Sequence, residues 1–162
     1  MGTMEMELSL YDWARLPCRR CKSAEHVPED LLRMAGGHTR EETEPRGIEG
    51  HVFQETWGTE TVVPVARVLM AGLAGHSLSV EARHRFLDLL WGFVVLDDDH
   101  LAEACKDVVR SGIWSLYEEV LSGRDKGSAR FAYWLLEEVE TAPARVQRLL
   151  QVARDLLPEN LD

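Results

Sequence analysis

The sequence is short of the features that anchor most functional assignments. No apolar run approaches the ~20 residues a bilayer-spanning helix needs, so no membrane segment is expected. The opening Met1-Gly2-Thr3-Met4-Glu5-Met6-Glu7 carries acid where a secretory signal carries base, and the chain reads as cytoplasmic. No third of the chain is basic: residues 1–50 hold 7 basic against 10 acidic residues, residues 51–110 hold 5 against 9, and residues 111–162 hold 6 against 9. Direct nucleic-acid binding, which depends on Lys and Arg neutralising phosphates, is disfavoured. The net charge of −10 suits a basic partner, and equally serves solubility alone.

Catalytic signatures are missing too. The sequence has no Gly-x-Ser-x-Gly elbow, no Gly-x-x-x-x-Gly-Lys phosphate loop and no His-Glu-x-x-His helix. His51, His76, His84 and His100 are scattered without a recurrent carboxylate neighbour, and no catalytic residue is assigned. Cysteine is scarce, with three in the chain. Cys105 falls at a helical core position, where a free thiol behaves as a small hydrophobe. Cys18-Arg19-Arg20-Cys21, with His26 and His38 nearby, leaves zinc, a disulfide or simple reduced thiols open. Its spacing fits the common zinc fingers poorly, so reduced thiols are adopted, with no metal and no cofactor.

What the sequence has is helical periodicity. Its 162 residues, 45% hydrophobic and 28% charged, suffice for one domain burying roughly 70% of its unfolded surface. Leu101, Ala104, Cys105, Val108 and Val109 repeat twelve residues on as Ile113, Leu116, Tyr117, Val120 and Leu121, each set spaced i, i+3, i+4, i+7, i+8. Ser111-Gly112 between them predicts two short helices folded back on each other. Pro28 opens a helix that Gly36-Gly37 stops. Thr39 and Glu42 have capping-box spacing, but Pro45, Gly47 and Gly50 predict a broken helix whose later part turns Ile48, Val52, Phe53 and Trp57 inward. Further helices are expected from Val62 to Leu73, from Val80 to Leu96 with two apolar faces, around Phe131–Val139 and from Val146 to Leu157. Asp97-Asp98-Asp99 sits where a helix start favours negative charge. No stretch alternates long enough to need a strand.

The expected fold is therefore all-α, an α-solenoid of about four stacked antiparallel helix pairs of HEAT/armadillo type. Residues 1–26 form an N-terminal docking segment using Leu8, Leu10, Trp13 and Leu16, residues 27–158 form the repeat domain and residues 159–162 a tail. Several stretches carry a family likeness: Asp12-Trp13-Ala14-Arg15-Leu16, Val27-Pro28 before Leu31-Leu32, and His51-Val52-Phe53-Gln54-Glu55-Thr56-Trp57 leading through Val63-Pro64-Val65-Ala66 to Leu69. Arg83-His84-Arg85-Phe86-Leu87-Asp88-Leu89-Leu90, Ala104-Cys105-Lys106-Asp107-Val108-Val109 and Arg130-Phe131-Ala132 extend it. In these stretches, which cover most of the chain, it resembles a family of actinobacterial HEAT-like repeat proteins. The resemblance implies a HEAT-like fold and an immunity-type role, since some such proteins lie near toxin systems. Where the family has a His-Gln-Gly-Thr run, this chain has Phe53 for the His and Glu55 for the Gly, so a role tied to that His has no carrier here.

Stacked helices build surfaces for holding partners, and the reading that follows is an acidic protein-binding module with a basic protein partner. Glu118, Glu119, Glu137, Glu138 and Glu140 recur at equivalent ends of neighbouring helices and would form an acidic stripe if those helices stacked in parallel register. Trp114, just off the apolar stripe of its helix, is the expected anchor. The alternative is a small-molecule-binding protein or enzyme with a pocket between helix pairs, marked by His84 or His51 beside a carboxylate. The chain would be a monomer, or a homodimer docked through an uncapped helix pair.

Overall fold

A computed structural model describes residues 2–161; Met1 and Asp162, the outer ends of the expected docking segment and tail, lie outside the described residues. The fold is all-α, with eight helices among the described residues: α1 (Thr3–Leu8), α2 (Val27–Gly36), α3 (Val62–Ala74), α4 (Val80–Val94), α5 (Asp99–Ser111), α6 (Ile113–Ser122), α7 (Lys126–Val139) and α8 (Pro143–Ala153). No helix among them is long and apolar enough to cross a membrane.

The chain's apolar spacing places the core. α4 starts where Ser79 Oγ accepts from the Ala82 N–H at 3.1 Å. It buries Phe86, Leu90 and Phe93 together with Leu87 and Val94, and packs against α2, α3, α5 and α7 as a two-faced helix must. α1 lies on α3, held by Thr3 Oγ1 donating to the Ala71 carbonyl at 2.8 Å, and Leu8 and Trp13 are buried there. Leu10, expected to dock with them, is exposed. The aspartate run behaves as a helix start: Asp98 accepts from the His100 and Leu101 N–H groups at 3.0 and 3.1 Å.

The expected hairpin at Gly112 does not form. A helical hairpin needs a loop of 2–5 residues, and Gly112 alone separates α5 from α6. Gly112 N–H closes α5 on the Val109 carbonyl and Ser115 N–H opens α6 on the Gly112 carbonyl, and the two helices do not pack along each other as a hairpin requires. α5 packs on α3, α4 and α7, and α6 packs mainly on α7. The true reversal comes one helix later, at Gly123 with φ +66°, after which the Asp125 carboxylate accepts from the Ser128 N–H at 2.7 Å and caps α7. Because α6 is set by this second turn, Leu121 leaves the core and is exposed, while Leu116, Tyr117 and Val120 stay buried.

The segment before α3 also departs from expectation. Thr39 and Glu42 do form a reciprocal cap, with 3.2 Å bonds in both directions, but it closes a single turn. Pro45 then ends helical continuation, and residues 48–58 form turns and a two-stranded ladder, β1 (Phe53–Gln54) antiparallel to β2 (Trp57–Gly58). Ile48, Val52 and Phe53 are buried as expected from their apolar character, though from turns and a strand rather than a helix.

Candidate functional site

The five glutamates expected to form one stripe are distributed over separate places. α6 and α7 are antiparallel neighbours, so Glu118 and Glu119, in the second half of α6, do not line up in register with Glu137, Glu138 and Glu140 at the C-terminal end of α7. Glu119 is buried, its carboxylate 2.6 Å from Arg83 Nε and 3.0 Å from Arg124. Glu118 is exposed and receives both Arg124 amines, at 3.0 and 2.6 Å. That guanidinium holds the Glu118 carboxyl below the usual carboxylate range. Glu138 turns toward α5 and meets Lys106 at 3.2 Å, and Glu137 accepts from the Tyr133 hydroxyl at 2.7 Å. Glu140, its side chain 2% exposed, accepts from Tyr117 at 2.7 Å, and that bond keeps its pKa low. Glu119 and Glu140 are thus structural groups, and the solvent-facing acids are Glu118, Glu137 and Glu138.

Trp114 is 66% exposed on the outer side of α6. Its ring is not loose. The Tyr117 ring lies 5.3 Å away and the Arg145 guanidinium, from the start of α8, sits 5.5 Å from the indole centroid. Leu121, exposed, stands seven residues on, with Glu118 between them, and this i, i+4, i+7 spacing sets all three on one helix face. Trp91 and Trp134 instead pack on each other with tilted rings 5.3 Å apart, and Trp134 donates to the Leu161 carbonyl.

His84 does lie beside a carboxylate, with Nδ1 3.6 Å from Asp125 Oδ2 in an open cleft between α4 and α7. The same oxygen caps α7 and accepts from Ser128 Oγ at 2.8 Å. The serine hydroxyl donates to the carboxylate and not to the imidazole, so this is not the order a nucleophile, base and orienting acid require.

Among the described residues, four ligand-type side chains gather elsewhere. Cys18, Cys21, His26 and His51 each bring one ligand atom to a point where all four lie within 4.8 Å of one another. His51 Nδ1 is 3.4 Å from Cys18 Sγ and 3.2 Å from Cys21 Sγ, and the two imidazole centroids are 4.8 Å apart. Both cysteines are free thiols. His38, paired with them on the sequence, is exposed and outside the group; His51 takes its place, delivered by the turn that begins at Gly50, whose φ is +76°. Arg19 N–H donates to the His51 carbonyl at 2.8 Å and joins the two segments, while the Arg19 guanidinium covers Trp57 at 4.4 Å. Burial lowers the His51 pKa, helped by the charges of His26 and Arg20. The neighbouring Cys18 thiol, followed by burial, pushes the Cys21 thiol up, the reverse of what an activated nucleophile needs.

Compared with known proteins, the chain matches no family model, no curated protein and no solved structure.

Proposed function

We propose that this protein is a helical binding module that holds a basic protein partner on the outer face of α6. The observation that carries the reading is Trp114: a large aromatic side chain, mostly exposed, yet fixed between Tyr117 and Arg145. A rigid aromatic loses little entropy on contact and supplies the kind of anchor on which interface energy concentrates. Leu121 extends the apolar surface and Glu118 adds negative charge to the same face. The acidic excess of the whole chain favours encounter with a positively charged surface. Kinship with HEAT-like repeat proteins and an immunity-type or regulatory role belong to this same proposal. α8 running beside α6, with Arg145 near Trp114 and Leu156 near Gly123, supports the stacked-helix part of it.

The test is photo-crosslinking from position 114 in cells that also express the genomic neighbours of this chain, followed by titration of the captured protein. Affinity should fall steeply with salt, Trp114→Ala should cost about 2 kcal/mol of binding, and Glu118→Lys should weaken the complex further. A salt-insensitive complex indifferent to both substitutions would refute the reading.

A further inference from the structure

We propose that Cys18, Cys21, His26 and His51 bind one structural zinc ion, which fastens the N-terminal segment to the turns ahead of α3. The donor set is two sulfurs and two imidazole nitrogens, the Cys2His2 complement of closed, four-coordinate zinc sites. In such a site, Zn–S near 2.3 Å and Zn–N near 2.0 Å put neighbouring sulfur and nitrogen roughly 3.5 Å apart at tetrahedral angles. The 3.4 and 3.2 Å separations from His51 Nδ1 to the two thiols already match that spacing.

The surroundings are those of a ligand set held in place. His26 Nε2 lies 3.0 Å from the Gly47 carbonyl, the backbone contact by which a ligating histidine fixes its ring and tautomer, and this leaves Nδ1 for the metal. Gly47 N–H in turn donates to Asp30 Oδ2 at 2.8 Å, so buried Asp30 on α2 fixes the peptide that orients His26. On the other side, the bond from Arg19 N–H to the His51 carbonyl sets the Cys-x-x-Cys loop against the histidine. Residues 16–26 form no helix or strand, and few apolar side chains tie them down. An ion joining Cys18 and Cys21 to a histidine some thirty residues away supplies that tie. Binding releases the two thiol protons, and Zn²⁺ with two thiolates is neutral overall, which suits a half-buried site. All four positions are filled by protein, which makes the ion structural and not catalytic.

Zinc analysis of the full chain, purified without chelator, tests this together with optical spectra of the Co²⁺-substituted protein. The expected result is one zinc per chain and a Co²⁺ spectrum with tetrahedral ligand-field bands and thiolate charge transfer. His51→Ala and Cys21→Ser should lose the metal, and His38→Ala should keep it. Should the first two variants fail to fold, thiol titration of the wild-type protein decides. Cys18 and Cys21 should be protected when zinc is bound and become reactive on chelation, with Cys105 silent throughout. Protein that takes up no stoichiometric zinc, that keeps its zinc in both ligand variants, or that shows a Cys18–Cys21 disulfide would overturn the proposal.

Discussion

Arg83 Nε and Glu119 Oε2 meet at 2.6 Å with their side chains only 6% and 2% exposed, joining the first turns of α4 to the last turns of α6. Arg83 also donates to the Leu73 and Gly75 carbonyls at the end of α3, so one guanidinium ties three helices. Two charges taken out of water gain little over an apolar pair, but removing Arg83 leaves the buried Glu119 carboxylate with Arg124 alone, and removing Glu119 leaves the buried Arg83 without its closest carboxylate. Glu119→Ala or Arg83→Ala should each lower stability by about 3–5 kcal/mol in urea denaturation, and an Arg83→Met, Glu119→Leu double variant should lose much less than their sum.

Close packing between the two-stranded ladder and α4 gives a second expectation. A Cβ on Gly92 would stand 2.5 Å from Phe53 Cζ, and Phe53 is itself wedged edge-on against Phe93 at 5.1 Å. Alanine improves helix propensity by about 1 kcal/mol, while forcing a buried ring aside costs about 1–3 kcal/mol. Gly92→Ala should therefore lower Tm, and adding Phe53→Leu should restore part of the loss.

Alkaline stability follows from two buried protons. Burial pushes the Cys105 thiol up to about 12 from 9.0, and burial followed by the bond to Glu137 pushes the Tyr133 hydroxyl up to about 12 from 10.0. The folded chain keeps these protons at pH values where the unfolded chain has released them. Their stabilising contribution is complete below about pH 9 and is lost as pH rises toward 12. Denaturation midpoints measured across this window should fall, and Cys105→Ala should flatten the thiol's share of the slope.

Much of the helical architecture was legible in the sequence because the signals are local. Periodic apolar residues fixed the positions of α3, α4 and α7, and Asp98 at a helix start needed only its own neighbours. A glycine between two apolar stripes looks alike whether the chain bends or reverses; what decides it is which distant helices each stripe packs on, and those partners lie elsewhere in the chain. Cys18, Cys21 and His26 stood out as a group, but His51 reaches them only after the chain has turned back through Gly50, and sequence proximity pointed to His38 instead. The carboxylates show the same limit. Nothing near Glu119 in the chain announces Arg83, thirty-six residues earlier, as the partner that removes it from the surface.

Surface and core roles for the tryptophans separate cleanly by experiment. Trp114→Ala removes a side chain that is mostly in solvent and should leave stability within about 0.5 kcal/mol of wild type. Trp134→Ala strips the partner from Trp91 and Phe131 and the donor from the Leu161 carbonyl, and should destabilise the chain by several times as much. Thermal unfolding of the two variants side by side reads out the difference.

The most direct measurement of the central claim, that residues far apart in the chain converge on one metal-binding point, is X-ray absorption at the zinc edge of the purified protein. A first shell of two sulfurs at about 2.3 Å and two imidazole nitrogens at about 2.0 Å is the expected result. A shell of oxygen and nitrogen without sulfur, or of sulfur without imidazole, would contradict it.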